Sequence, residues 1–500
     1  MPLTSGFCCT ATFRLRLVAF LSLFVSYLYF APVIDNDNVI TRIGLSISIV
    51  VDRALTIDQF APYTVDRAMF SGHFYSDKAP GLSLMAIPPT AATLATAKLF
   101  DIPFVFFTGP EATTPLFDVI VGLSTAMTSG MFTALTATSV LSTACLLTGR
   151  LDAALFAALC FGLGTIAWGW ATAFFGHATA GACLFLAYSG IVRCTVNAPS
   201  PAHPLAVGMY VGALLGWALV VEFPTMPAVL VLAAFASWTA LRCNAPERRR
   251  LIVGGTAAVL LATLPLWIYN ALAFGSPLRL GYQSVVGFPE MQQGLFGVSI
   301  PRPSIGYELL LGQHRGILWI SPVLLASPIA IAAWLRSHRY RRCLLPIIGV
   351  IGVYLAINAG YHYWDGGMST GPRHLVPVLP FLSLPLAFLW FRSSRRRKYL
   401  LAGLALISIF ISLVCVSVDI TAPEYERRPL FDYLLPAFMN GSSRALLAQV
   451  GVPPAVCSLL LASFWLAIGV AMRQDLRWRS DCPFRREMLR ARASEVSMRE

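Results

Sequence analysis

The sequence has few charged residues for its length. Of its 500 residues only 12% are Asp, Glu, Lys or Arg, and 57% are hydrophobic, whereas a typical soluble domain carries roughly a quarter charged residues. No polar stretch reaches about 50 residues, the lower limit for a soluble domain. The composition therefore predicts a polytopic membrane protein and excludes an ordinary soluble enzyme.

The cysteine spacing and the placement of the basic residues exclude two other classes of protein. No Cys-x-x-Cys pair or Cys/His spacing is typical of a zinc site, and several of the 11 cysteines lie within apolar segments, where Cys behaves as a small hydrophobic residue. The net charge of +13 comes largely from short basic runs between apolar segments, a pattern of cytoplasmic loops rather than of a nucleic-acid surface. We therefore expect no metal site and no nucleic-acid partner.

Apolar segments long enough to cross a membrane follow one another along the chain. A span needs about 20 apolar residues. The candidate segments are 15–34, 81–99, 119–147, 152–170, 176–192, 205–221, 225–242, 251–274, 317–335, 343–358, 375–391, 399–418 and 455–472. In the first of them, Arg14 and Arg16 precede an apolar run from Leu17 to Ile34, and no cleavage site is evident, which is typical of a retained signal anchor.

Basic residues predict how these segments are oriented. Cytoplasmic positions are indicated for 243–250, 336–342, 392–398 and the tail from residue 473. Outward positions then follow for 35–80, 171–175, 275–316, 359–374 and 419–454. Both termini are predicted to be cytoplasmic, which requires an even number of spans, whereas the set above is odd.

The segment around residue 116 disturbs this count. Residues 116–147 would form a helix of about 48 Å, which is too long for one bilayer core. Either a break at 129–130 or a further half-span within 102–118 would resolve the count. We predict an all-α, polytopic transmembrane protein with about 12 to 14 spans. It would form one membrane domain over 1–500, with a helical core in 1–420, an outer loop and last span in 421–472, and a basic cytoplasmic tail in 473–500.

The long outer loops carry weaker signals. Apolar residues at helical spacing predict a helix over 39–55 that lies in the membrane interface, and the alternative is that 43–51 belongs to the membrane-embedded fold. Residues 66–70 predict a short turn. Gly and Pro in 275–316 make a long regular helix there unfavourable.

Two compact polar patches lie directly before predicted spans. Residues 71–81 read Ser-Gly-His-Phe-Tyr-Ser-Asp-Lys-Ala-Pro-Gly, and residues 361–373 read Tyr-His-Tyr-Trp-Asp-Gly-Gly-Met-Ser-Thr-Gly-Pro-Arg. The predicted topology puts both patches on the outward side. Because polar groups are costly to keep at the edge of so apolar a chain, the pair predicts a functional site.

Charged residues favour a lipid-linked phosphate as the substrate of this site. Ionisable residues are nearly absent from mid-span positions, where an ion-coupled transporter keeps its acids. A lipid-linked phosphate would lie at the membrane boundary and needs Lys or Arg donors. Lys78, Arg315 and Arg373 stand at the outward ends of predicted spans. An acid within 35–77 would take the proton of an acceptor hydroxyl.

Each of these residues also has a purely structural interpretation. Asp77 and Lys78 fit an interfacial ion pair, and Arg315 and Arg373 fit anchors that reach to the membrane surface. His177 fits a histidine at the membrane boundary whose hydrogen bonds are satisfied, and Trp364 fits an interfacial aromatic residue. The functional hypothesis depends on the convergence of these residues on one face.

Residues 75–81, Tyr-Ser-Asp-Lys-Ala-Pro-Gly, resemble a Tyr-x-x-Lys-Pro-Pro-like element of the GT-C superfamily of polytopic glycosyltransferases. The nearest resemblance is to the bacterial branch related to protein O-mannosyltransferases and lipid A aminoarabinose transferases, in which this element opens the second span. Tyr75, Lys78 and Pro80 match it, and Ala79 replaces its first proline. Shorter stretches that look like the same branch span roughly residues 15–390, at 175–177, 269–270, 274–277, 315–316 with 321–322, and 371–373.

The resemblance implies an inverting transfer of a sugar from a polyprenyl-phosphate donor, without a nucleotide cofactor. The predicted topology puts this transfer at the outer face of the cell membrane. The acceptor would be a lipid, glycan or protein. Lys78 would bind the donor phosphate, and the other expected substrate-binding residues are Tyr75, Asp77, His73, Arg315, Trp364, Arg373 and His177.

The catalytic acid is less directly implied. The family keeps it soon after the first span in an Asp-Glu pair, which this sequence lacks. Asp37, Asp58 and Asp66 are the possible equivalents. Asp58 is favoured because it follows the predicted interfacial helix and should return towards Lys78. The alternatives to an enzyme are a transporter or flippase of a lipid-linked or small hydrophilic substrate, and a non-catalytic scaffold.

Overall fold

A computed structural model describes residues 5–109, 112–196, 201–336 and 340–480, with side chains described within 13–472. The chain divides into two compact units, Met1–Arg444 and Ala445–Glu500. Most of the predicted basic tail, and residues 337–339 of the predicted basic loop, lie outside the described residues. The prediction of a single membrane domain over 1–500 stays a prediction.

Most of the described chain is helical. The α-helices of the first unit are α1 Ser5–Leu28, α2 Asp37–Val51, α3 Gly81–Leu99, α4 Pro115–Thr125, α5 Met131–Thr148, α6 Leu151–Gly162, α7 Ala167–Trp170, α8 Gly176–Val196, α9 Pro204–Val221, α10 Met226–Ala240, α11 Ala245–Phe274, α12 Pro303–Leu310, α13 Ile317–Ile320, α14 Ser327–Leu335, α15 Arg341–Gly360, α16 Leu379–Ser383, α17 Leu386–Arg392, α18 Arg395–Val418 and α19 Leu435–Met439. The second unit holds α20 Leu446–Gln449 and α21 Pro454–Ser480. The short strands are β1 Arg67–Phe70, β2 His73–Ser76, β3 Phe107–Gly109, β4 Ala112–Thr113 and β5 Val285–Val286.

Within the described residues, nine helical segments are long and apolar enough to cross a membrane. They are Pro115–Thr148, Gly176–Val196, Pro204–Val221, Phe223–Ala240, Ala245–Phe274, Arg341–Gly360, Arg373–Arg392, Arg395–Val418 and Pro454–Met472. The remaining segments predicted from the sequence contain α1, α3 and two shorter apolar helices, Leu151–Gly162 and Pro322–Leu335. The all-α polytopic fold is confirmed, and the chain is an integral membrane protein.

The segment that disturbed the count of spans is one continuous helical stretch. A π-helical turn, Ala126–Gly130, joins α4 to α5, so the irregularity falls where the sequence suggested a break. The hydroxyl of Thr114 caps α4 by accepting the N–H of Phe117, and Pro115 occupies the first helical position. The described residues between 102 and 114 are non-helical, with β3 and β4 among them. The predicted half-span within 102–118 is therefore wrong, because the helix begins only at Pro115.

Helix α2 corresponds to the helix predicted over 39–55, and most of it lies inside the protein. Asn36 caps it by accepting the N–H of Asn38. The residues from Asn38 to Ser48 are all buried. The Ser46 hydroxyl donates to the carbonyl of Ser83 in α3 at 2.8 Å. This burial favours the alternative in which the segment belongs to the embedded fold.

A hairpin of β1 and β2 follows α2. Ser71 and Gly72 form its turn with φ values of 51° and 85°, the positive values that a two-residue hairpin turn needs. Arg67 faces Ser76 at the open end of the hairpin, and β5 pairs with the same Arg67 through Val286. The predicted turn over 66–70 is wrong, because the chain reverses at 71–72 and residues 67–70 pair as a strand.

The loops 35–80, 275–316 and 359–374, for which the sequence predicts an outward position, contact one another. Pairing of β1 with β5 joins the first two loops. The N–H of Ser299 donates to Gly360 at 2.9 Å, and the N–H of His362 donates to Gly297 at 2.8 Å, which joins the last two. The longest helix within 275–316 is α12, of 8 residues, as the Gly and Pro content predicted.

Candidate functional site

A lysine and two carboxylates meet where the hairpin opens. Because Arg67 faces Ser76, the residues just outside this pair, Asp66 and Asp77, leave the strands side by side, and Lys78 follows directly. Lys78 Nζ lies 3.0 Å from Asp66 Oδ1 and 2.8 Å from Asp77 Oδ2. The three side chains are 15%, 10% and 3% exposed for Lys78, Asp66 and Asp77. Water therefore screens these charges weakly.

The carboxylates keep the lysine charged. Burial by itself would lower the pKa of Lys78, but the charges and hydrogen bonds of Asp66 and Asp77 outweigh it and hold that pKa above its ordinary value. Burial also raises the pKa of Asp77, a rise that Lys78 opposes and Asp66 reinforces. Asp77 Oδ1 is buried and has no hydrogen-bond partner in the described structure. The cluster thus offers a permanent ammonium charge in a largely desolvated position.

Arg373 brings a second cation to this cluster. It begins the 3-10 turn Arg373–Val378, and its guanidinium carbon lies 5.4 Å from the ring centre of Phe175. It interacts electrostatically with Asp66. Its Nε is buried and has no hydrogen-bond partner among the described residues. An unused guanidinium N–H is suited to an anionic oxygen.

Two histidines lie in the same region. His177, the second residue of α8, packs edge to face against His374, with ring centres 5.2 Å apart. The ring centres of His374 and Tyr361 lie 5.6 Å apart. The Nε2 atom of His374 has no hydrogen-bond partner in the described structure. Tyr361 interacts electrostatically with Lys78 and Arg373. No group of three or more His, Cys, Asp or Glu side chains among the described residues is placed to hold a metal ion.

Asp58 forms a different, exposed pair. Its Oδ2 lies 2.8 Å from His73 Nδ1, and its Oδ1 accepts the N–H of Phe74 at 2.7 Å. The side chains of His73 and Asp58 are 58% and 45% exposed. Among the described contacts Asp58 has no hydrogen bond or ion pair with Lys78, so the structure brings Asp66 rather than Asp58 to that lysine. The role of Asp58 as the base stays a prediction.

Asp37 supports the segment that carries Asp66. Its Oδ1 accepts the N–H of Val65 at 2.7 Å, and its carbonyl accepts the hydroxyl of Thr64 at 3.0 Å. The hydroxyl oxygen of Thr64 in turn accepts the N–H of Asp66 at 3.1 Å. Asp37 therefore fixes the position of Asp66 through the backbone.

Arg315 uses its donors within the protein. Its guanidinium donates to the carbonyls of Asp365 at 2.9 Å and Gly367 at 2.7 Å, and the residue is fully buried. These bonds fix the turn at Gly366 and Gly367, both of which have positive φ. Arg315 thus shapes the second polar patch, whereas Arg373 keeps a free donor.

The two predicted aromatic residues each pack against a neighbouring ring. The ring centre of Tyr75 lies 5.4 Å from that of Phe274. The ring centre of Trp364 lies 6.1 Å from that of His314, edge to face. Both side chains are partly exposed, so part of each ring is accessible in addition to the part that packs.

Comparison with solved structures relates this arrangement to known proteins. The chain is similar to ArnT from Cupriavidus metallidurans bound to undecaprenyl phosphate, with a TM-score of 0.52 and 16% identity over 94% of this chain and 77% of that one. The apo state of the same protein gives a TM-score of 0.51 and 15% identity over 93% and 76%. The chain has a GT-C-type fold. No protein-family model matches the sequence, and no curated protein matches it either.

Within this GT-C-type fold, a buried ion pair supports the Lys78 segment. Arg42 Nη2 donates to Glu222 Oε1 at 2.7 Å, with side chains 1% and 9% exposed. Arg42 also donates to the carbonyl of Ala79 at 3.3 Å, which fixes the backbone just after Lys78. Glu222 Oε1 lies 3.9 Å from His177 Nδ1. The pair thus connects three parts of the site.

Sequence reasoning missed Glu222 and His374. Glu222 lies between two apolar segments, and their predicted orientation puts it at an outward end. An acid at that position could have been named as a candidate from the sequence. His374 directly follows Arg373 in the second polar patch. The partner of Glu222 is Arg42, 180 residues away in the sequence, and no local pattern indicates so distant a contact.

We expect Glu222→Leu to lower the free energy of unfolding by about 3–5 kcal/mol, because Arg42 would remain buried without its partner. Unfolding of purified protein in detergent measures the effect. Combining Glu222→Leu with Arg42→Met should recover much of the loss, since no unpaired charge remains. Asp432→Asn in the exposed Arg428–Asp432 pair is the control and should change little. Wild-type stability of Glu222→Leu would contradict a supporting role for the pair.

Proposed function

We propose that this protein is a membrane glycosyltransferase that takes a sugar from a polyprenyl-phosphate donor. The observation that carries the proposal is the desolvated Lys78 with Asp66 and Asp77, together with Arg373, which interacts electrostatically with Asp66 and has an Nε without a partner among the described residues. This lysine stands in the element that resembles Tyr-x-x-Lys-Pro-Pro. The similarity in fold to ArnT, solved with undecaprenyl phosphate bound, supports a lipid phosphate as the donor group.

Lys78 and Arg373 are the proposed ligands of the donor phosphate. Both cations are permanent at neutral pH, and phosphate oxygens form strong charge-assisted hydrogen bonds with such donors. An arriving phosphate would compete with Asp66 and Asp77 for Lys78 Nζ. When the sugar–phosphate bond breaks, the electron pair stays on the phosphate oxygen, and the same two cations stabilise the added charge.

We propose Asp66 as the general base of this transfer. It is a carboxylate 3.0 Å from Lys78 Nζ, so a sugar attached to a phosphate on Lys78 would lie beside it. The acceptor hydroxyl gives its proton to Asp66 as its oxygen bonds to the anomeric carbon and the phosphate leaves. Attack opposite to the leaving phosphate inverts the anomeric centre.

The site is proposed to face the outer compartment, with a lipid, glycan or protein hydroxyl as the acceptor. This assignment depends on the basic runs, which favour cytoplasmic positions for the opposite ends of the helices. Single cysteines at Ser71 and Met368, both exposed, should react with a membrane-impermeant thiol reagent added outside intact cells that carry an otherwise cysteine-free protein. A cysteine at the exposed Arg249 should react only after permeabilisation. Labelling of Ser71→Cys and Met368→Cys from opposite sides would exclude a single site.

Reconstitution in liposomes with a polyprenyl-phosphate donor labelled in the sugar tests the function. Transfer of the label to an acceptor, or slow hydrolysis of the donor, is the expected result. Movement of the intact donor across the bilayer without bond cleavage would instead support a flippase and overturn the proposal. Protein-free liposomes give the background rates of both processes.

A further inference from the structure

A cavity lies far from the Lys78 site. It has a volume of about 650 Å³, within the range of roughly 300–1,000 Å³ that is common for ligand sites. Residues of α1, α5, α8 and α9 line it. Along α8, Arg193 at this cavity is roughly 24 Å from His177 at the Lys78 site, at 1.5 Å per residue. The cavity therefore lies near the opposite end of the helices from the proposed catalytic site.

Two arginines give this cavity a positive charge. Arg16 of α1 and Arg193 of α8 both line it, and they are close enough to interact electrostatically. None of the described lining residues is Asp or Glu. Neither arginine forms an ion pair or hydrogen bond with the described part of the chain. Like charges repel, so an anion between the two guanidinium groups would stabilise this arrangement.

The remaining lining suits an amphipathic anion. Polar groups are present, including the Tyr210 hydroxyl and the buried Ser139 hydroxyl, which has no hydrogen-bond partner among the described residues. Apolar side chains of Leu135 and Leu186 line the same cavity. Leu186 lies about 10 Å along α8 from Arg193, towards the middle of the helix. A ligand with a charged head and an apolar chain can contact both kinds of surface.

We infer that this cavity binds a lipid through its phosphate headgroup, with the phosphate between Arg16 and Arg193 and one chain extending past Leu186. The surrounding bilayer supplies such lipids at high local concentration. Guanidinium groups bind phosphate oxygens with two parallel hydrogen bonds. The inference does not depend on the proposed transferase activity, because the two sites lie at different ends of the helices.

Lipid binding to the purified full-length protein tests the inference. Native mass spectrometry can compare retained phosphatidylglycerol with phosphatidylcholine, in which a positive choline group balances the phosphate. We expect Arg16→Gln combined with Arg193→Gln to weaken phosphatidylglycerol binding by roughly tenfold or more, because two charge-assisted contacts are lost. Arg193→Gln alone, which keeps the basic N-terminal residues intact, should give part of this loss. The matched control is Arg249→Gln, an exposed arginine of α11 outside the cavity lining, which should retain the lipid.

Three results would overturn the inference. An equal loss in Arg249→Gln would show that general surface charge, not this cavity, retains the lipid. Displacement of phosphatidylglycerol by an equal concentration of inorganic phosphate would show a free-anion site rather than a lipid site. Replacement of Lys78 by methionine should leave this lipid bound, and its loss in that variant would assign the lipid to the Lys78 site instead.

Discussion

Replacement of Lys78 by methionine should weaken binding of a polyprenyl-phosphate donor by roughly 10- to 100-fold. Methionine keeps an unbranched apolar stem but removes the ammonium, and a hydrogen bond to a charged group contributes about 1.5–3 kcal/mol. Arg373, with its free Nε, would still hold the phosphate, so binding should be weakened rather than abolished. A titration of purified protein with donor, followed by intrinsic tryptophan fluorescence or calorimetry, measures the affinity.

Loss of stability must be separated from loss of binding in this variant. Methionine at position 78 leaves Asp66 and Asp77 without their cation, and an unpaired buried charge costs about 3–5 kcal/mol. Adding Asp77→Asn to Lys78→Met removes one stranded charge, so this double variant should regain stability without regaining donor affinity. Lys98→Met is the matched control, since Lys98 is an exposed lysine at the other end of α3. Wild-type donor affinity in Lys78→Met would remove this lysine from the phosphate site.

Sequence reasoning could identify the helical fold and the two polar patches because both depend on local composition. Apolar runs have the length that a bilayer requires, and basic runs orient them. With that orientation, Lys78 and Arg373 are predicted on the same side of the membrane. The structure agrees, because Asp66 pairs with Lys78 and interacts with Arg373, and Tyr361 interacts with both cations. Hydropathy alone was sufficient to predict the helical segments.

The choice among the acids could not be made in this way. Asp66 reaches Lys78 because the turn at 71–72 pairs Arg67 with Ser76, and a different register would have brought another residue there. The same limitation applies to Arg315, which, like Arg373, stands at the outward end of a predicted span. Their difference arises from the carbonyls of a glycine turn about 50 residues away, which take the donors of Arg315.

Replacement of Asp66 by asparagine should slow sugar transfer by about 10²–10⁴-fold, the usual cost of losing a positioned general base. Asparagine keeps the shape of the side chain but cannot accept the proton. Donor binding should be retained or become tighter, because one negative charge beside Lys78 is removed. Single-turnover transfer of labelled sugar, with donor affinity measured on the same preparation, separates these effects. A loss of donor affinity equal to the loss of transfer would indicate a structural role.

The matched variants Asp58→Asn and Asp37→Asn decide which acid is the base. Asp58→Asn should transfer at close to the normal rate, because Asp58 is exposed and bonded to His73 and the backbone of β2. Asp37→Asn should have a small effect, since the asparagine oxygen can still accept the N–H of Val65. An inactive Asp58→Asn with an active Asp66→Asn would instead identify Asp58, the acid that the sequence favours. Normal transfer by all three variants would exclude these acids as the base and require a different route for the acceptor proton.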